Sequence, residues 1–131
     1  VSLQINDCYA EHGKFMVVTG GAQGASQIAE AVAQEFGLPI VSFRPVQINE
    51  ENFGVDEWRM YRGDAKIIRD EITWRDWQSA ANFRSLLVAD RCDEAYVYWD
   101  GYSRGTAYEI EMLQNENRPF FCANLRMEQA H

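Results

Sequence analysis

The chain has 131 residues, 47% of them apolar and 24% charged. That is the balance of one globular domain, a class most often about 100 to 150 residues long, and no apolar run approaches the roughly 20 residues that span a bilayer. Twelve Lys and Arg stand against twenty Asp and Glu, a formal charge of -8, which disfavours general coating of DNA or RNA through its phosphates.

Val1 to Glu11 carries apolar residues at Leu3, Ile5, Cys8 and Tyr9, a helical pattern that His12-Gly13 ends. Phe15 to Thr19 is a short β-branched run that stops at Gly20-Gly21 and reads as a buried strand. From Ala25 to Phe36, Ile28, Ala29, Val32, Ala33 and Phe36 recur at helical spacing, with Ser26 near the start and Gly37 as the residue after the cap. Pro39 opens a second strand through Phe43. Arg44 to Asp76 is charged and rich in aromatics, and is expected as an insertion of loop with one or two short helices over one face. A helix from Ser79 to Asp90, a strand at Ala95–Trp99, a helix from Thr106 to Asn117 and a strand from Pro119 to Ala123 complete the series. Strands alternating with helices predict a single α/β domain: a three-layer α/β/α arrangement around a mostly parallel sheet.

Cys8, Cys92 and Cys122 are widely spaced, with only His12 and His131 as histidine partners. Reduced thiols in a cytoplasmic protein fit this better than a disulfide frame or a zinc site, and no metal or other cofactor is expected. The start shows no charged-then-apolar pattern of a signal peptide. Among the basic residues only Lys14 and Lys66 are lysines. Anion recognition therefore falls largely to arginine, whose planar fork grips a phosphate through two hydrogen bonds.

Two strand-to-helix junctions carry the chemistry. The first, Thr19-Gly20-Gly21-Ala22-Gln23-Gly24-Ala25-Ser26, offers close backbone approach at Gly20, Gly21 and Gly24 and free N–H groups near Ser26 to a phosphate; glycines at such a turn also serve tight packing alone. The second runs from Trp99 through Asp100, Gly101, Tyr102, Ser103, Arg104, Gly105 and Thr106 to Glu109. Its T-x-x-E reads equally as a capping box with Thr106 as N-cap and Glu109 at N3, Asp100 equally as a turn residue, and Arg104 as a solvated charge. Trp58, Tyr61, Trp74 and Trp77 could stack on a base, although packing of the inserted segment is the commoner use of such residues.

Together, Val17-Val18-Thr19-Gly20-Gly21-Ala22-Gln23-Gly24-Ala25-Ser26 and Tyr98-Trp99-Asp100-Gly101-Tyr102-Ser103-Arg104-Gly105-Thr106-Ala107 resemble the SLOG superfamily. The likeness is to its small YpsA-like members, with GGARGAD and FWDGxSRGTA segments, and more distantly to the Lonely Guy (LOG) phosphoribohydrolases and DNA-processing protein A. It covers roughly Phe15 to Leu125. The resemblance implies a Rossmann-like nucleotide-binding domain. Its G-T-x-x-E motif places a catalytic carboxylate on Glu109, and its helix arginine falls on Arg84. Departures are Gln23 for Arg, Ser26 for Asp, Ser85 for Asn, Asp100 for the LOG proline, and no counterpart before Val1 of the family's opening strand.

The function so implied is binding of a small phosphorylated, nucleotide-like ligand, with hydrolysis of the N-glycosidic bond of a nucleoside 5′-monophosphate. Glu109 would stabilise the oxocarbenium-like state. Arg84 and the N–H groups around Ser103 to Thr106 would hold the phosphate, Gly20 and Gly21 would line the sugar side, and Asp100, in the segment containing Gly101, would accept from a ribose hydroxyl. The alternatives are a non-catalytic nucleotide sensor or sequestering protein and, less favoured, DNA binding of the DNA-processing type. The resemblance also implies a homodimer, and the chain pattern implies no membrane partner.

Overall fold

The structure, a computed structural model, describes residues 15–21, 24–69, 71–99 and 104–124. The helix expected at Val1 to Glu11 lies outside the described residues, as do Gln23, Asp100, Gly101 and Ser103. In chain order the elements are β1 (Val17–Thr19), α1 (Ala25–Glu35), β2 (Ile40–Gln47), β3 (Phe53–Tyr61), β4 (Asp64–Arg69), α2 (Trp77–Arg91), β5 (Ala95–Trp99), α3 (Arg104–Asn115) and β6 (Phe120–Asn124). The chain falls into two compact units, Val1–Arg84 and Ser85–His131, with the boundary inside α2.

In the first unit the strands are ordered β1-β2-β3-β4. β1 and β2 are parallel, and β2 pairs antiparallel with β3, as β3 does with β4. The sheet is thus mixed, which corrects the expectation of a mostly parallel one. The cause is the segment read as loop and short helices, which instead lengthens β2 to Gln47 and returns as two hairpins. In the first turn Asn49 Oδ1 accepts from the N–H groups of Glu51 and Asn52, both at 2.9 Å. The second turn is Arg62-Gly63, both at positive φ (50° and 85°) between the paired Tyr61 and Asp64, as a two-residue hairpin of the I′ kind requires. Pro45 lies past Ser42, the last residue of β2 that β1 pairs, so its missing N–H is tolerated there.

Register fixes what shares a face, since cross-strand partners point the same way and alternate residues repeat the side. Val17, Ile40 and Met60 form one row; Thr19, Ser42 and Trp58 the next; Arg44, Asp56 and Arg69 the third. The apolar row lies under α1, where Ala33, Leu38 and Ile40 are buried with Phe15, Val17, Ala29, Val32 and Met60 around them. On the other face Val41, Phe43 and Val55 are buried, and Phe53 meets the Trp77 ring edge-on at 6.1 Å.

The second unit holds a two-stranded parallel sheet, β5 with β6, joined through α3. Its core is Ala89, Cys92, Val97 and Leu113, with Ala95, Ile110, Met112 and Phe120 against it. Arg118 donates to the carbonyls of Ala89 at 3.1 Å and Asp90 at 2.9 Å, satisfying acceptors that the end of α2 leaves over.

The two crossover helices end alike. After α1, Gly37 N–H donates to Gln34 O and Leu38 N–H to Ala33 O; after α3, Asn117 N–H donates to Gln114 O and Arg118 N–H to Leu113 O. Gly37 and Asn117 both have positive φ, which makes each a Schellman stop. Among the described residues no helix is long and apolar enough to cross a membrane.

Candidate functional site

β1 ends at Thr19, and Gly20 and Gly21 turn the chain at its carboxyl end, where ligands bind in α/β sheets. Two arginines from distant elements meet this turn. Arg84, on α2, donates through Nη1 to the Gly20 carbonyl at 2.7 Å. Arg44, on β2, crosses Gly21: a Cβ there would fall 2.3 Å from Arg44 Cγ, and Gly21 has φ +67°. Only glycine satisfies both the backbone angle and the passage of that side chain.

Arg44 is held from three sides. Its Nε donates to Ser42 Oγ at 3.1 Å, its Nη2 lies 3.3 Å from both Glu30 carboxylate oxygens, and its guanidinium stacks 4.5 Å from the centre of the Trp58 ring. Glu30, on α1, also accepts from Thr19 Oγ1 at 2.8 Å. Thr19 and Ser42 are buried, so the corner has a buried hydroxyl floor, a carboxylate from the helix and a cation from each side. Beside it Asp56 is buried on β3 and paired with Arg69, Nε to Oδ1 at 2.8 Å and Nη2 to Oδ2 at 3.2 Å.

Gly24 occupies the N-cap of α1 with φ 85° and no side-chain cap hydrogen bond. Gly24 itself brings no side-chain acceptor to the first-turn N–H groups, that of Ser26 among them, and no acidic residue stands in that turn. The sequence-predicted Gly20, Gly21 and Arg84 are thus brought together, and Gly24 and Ser26 follow at the start of α1.

Arg104, Gly105, Thr106 and Glu109 belong to the second unit, on the first two turns of α3. This helix begins at Arg104. Thr106 consequently stands inside the first turn and Glu109 in the second, so the N-cap and N3 places of a capping box are not theirs, and that part of the capping reading is corrected. Arg104 and Gly105 are exposed, and Thr106 and Glu109 are half-buried. Among the described residues no group of three or more His, Cys, Asp or Glu is placed to hold a metal.

Arg44, Glu30, Ser42 and Trp58 were not singled out as a cluster by the sequence. Arg44 follows the predicted end of its strand and a mid-helix Glu reads as solvated. The usable signal was the alternation Ile40, Ser42, Arg44 on a strand longer than expected. Of the four aromatics weighed as base platforms, Trp58 carries a guanidinium, Tyr61 lies under the neighbouring Arg62 at 5.0 Å, Trp74 packs on Phe83 at 4.6 Å and Trp77 meets Phe53. No family model matches the chain, and no curated protein or solved structure matches it.

Proposed function

We propose that the protein binds a small phosphorylated, nucleotide-like ligand at the Gly20–Gly21 corner. The observation that supports this is the glycine turn at the end of β1 with Arg84 on one side and Arg44 on the other. Beside it the start of α1 has, among the described residues, neither a side-chain cap nor an acidic first turn. Helix N-terminal N–H groups and guanidinium forks are the usual protein partners of a phosphate dianion. The finer parts of the proposal, a Rossmann-like three-layer SLOG arrangement, a homodimer and N-glycosidic hydrolysis by Glu109, rest on the motif resemblance alone.

Thermal-shift titration with AMP, GMP, CMP, UMP and their deoxy forms tests binding, because a ligand selective for the folded state raises its melting temperature. No shift with any of them sinks the reading. Chromatography of the same mixtures for free base tests hydrolysis: release above a Glu109→Ala control is expected, and stabilisation by a nucleotide that stays intact leaves a sensor or sequestering protein.

A further inference from the structure

Arg44 is the least tightly paired of the arginines whose carboxylate contacts are described. Its single Nη2 is shared between the two oxygens of Glu30 at 3.3 Å each, whereas Arg59 reaches Glu57 at 2.8 Å and Arg69 reaches Asp56 through two nitrogens, the shorter contact being 2.8 Å. Charge-assisted pairs at their optimum lie at about 2.7 to 2.9 Å. Arg44 Nη1 donates to no group among the described residues. The Arg44 side chain is 30% exposed and that of Glu30 13%, so solvent reaches the cation more than the anion. The Trp58 face under the guanidinium and the Ser42 hydroxyl on Nε fix the fork without involving Glu30.

We propose that Arg44 is the anion-binding group of this corner and that Glu30 is its internal counter-ion, displaced when a phosphate monoester binds. The inference rests on the reading of the Gly20–Gly21 turn as a phosphate site and adds which cation takes the phosphate and which carboxylate competes with it. Trp58 and Ser42 hold the guanidinium plane, so Arg44 keeps its place while its partner changes. Glu30 loses the salt bridge and keeps the hydrogen bond from Thr19 Oγ1. A dianionic phosphate is favoured over a monoanionic carboxylate because it brings twice the charge and more acceptor oxygens to the same fork.

Thermal-shift titration of the full chain with inorganic phosphate, at ionic strength held constant with chloride, reads this out. Glu30→Gln keeps an acceptor for Thr19 and removes the competing charge. Its phosphate midpoint is expected at about one tenth of the wild-type concentration, the scale of one charge-assisted hydrogen bond. Arg44→Gln should abolish the response, and Arg44→Lys, which keeps the charge without the fork, should weaken it about tenfold without loss of fold. Equal midpoints for wild type and Glu30→Gln overturn the proposal, as does a wild-type response in Arg44→Gln or Arg44→Lys. The same titration with AMP separates the two readings. AMP binding that Arg44→Gln leaves intact overturns the role of Arg44 while nucleotide binding stands. A phosphate response that follows Arg44 and Glu30 without any response to AMP supports the exchange and removes the nucleotide.

Discussion

The adjacent glycines of the turn differ in what they tolerate. At Gly21 a methyl group would meet Arg44 Cγ at 2.3 Å and the backbone has φ +67°. Gly21→Ala is therefore expected to cost about 1 to 3 kcal/mol, combining a left-handed backbone with a forced displacement of the strand arginine. At Gly20 the nearest atom is Arg84 Cδ at 3.0 Å, on a flexible side chain. Gly20→Ala should cost about 0.5 to 1.5 kcal/mol, chiefly the hydrogen bond that Arg84 gives the Gly20 carbonyl. Urea denaturation of both variants measures the difference, and equal midpoints refute the account. Cys92 offers a second check. Burial pushes its thiol up from the ordinary cysteine range, with the nearby Arg118 charge opposing, so little thiolate forms near neutral pH. Iodoacetamide at pH 7.5 is expected to label Cys92 slowly in the folded protein and quickly in urea, read by mass spectrometry of its peptide.

Among the elements, α2 shows how one cap sets a boundary that periodicity leaves open. Asp76, just before Trp77, accepts the Ser79 N–H at 2.8 Å and the Ser79 hydroxyl at 2.8 Å. Those bonds, the backbone one first, hold its carboxyl below the usual aspartate range. A depressed folded pKa means the contribution is present above the unfolded value, about 3.9, and is lost as pH falls through the folded one. Asp76→Ala should lower the melting temperature at pH 7, and that deficit should shrink towards pH 2. Asp76→Asn, still a good N-cap, should retain more stability than Ala at pH 7. A deficit for Asp76→Ala as large at pH 2 as at pH 7 excludes the charged cap. The β2–β3–β4 hairpins teach the opposite lesson. On β3 one face carries Gly54, Asp56, Trp58 and Met60, the other Phe53, Val55, Glu57 and Arg59. Neither face is uniformly apolar, so alternation could not be read. Asp56 is buried because Arg69, its cross-strand neighbour, pairs with it, and a pairing between strands leaves no mark in a local window.

For the whole molecule, the -8 charge coexists with a local concentration of cations at Gly20 and Gly21. Binding of a polyanion follows the net field, whereas binding of one phosphate follows the two guanidinium groups at the corner. The full chain is accordingly expected to give no mobility shift with duplex DNA even at about 50 mM salt, where electrostatic binding would be strong. A shift abolished by modest added salt would instead favour the DNA-processing reading. The two units have separate apolar clusters, one around Leu38 and Ile40 and one around Val97 and Leu113. Each contains one strand–helix–strand crossover between parallel strands, β1–α1–β2 and β5–α3–β6.

The sequence by itself determined the strands and helices of those two crossovers, because β-branched runs, helical periodicity and the stop at Gly37 are local properties of the chain. It also marked Gly20, Gly21 and Arg84, which the structure joins. Only the tertiary structure decided that residues 44–69 form strands, that the sheet is mixed, and that Arg44, Glu30, Ser42 and Trp58 close around the glycine turn. Those outcomes depend on cross-strand register and on a helix laid over a sheet, which bring together residues that no sequence window compares.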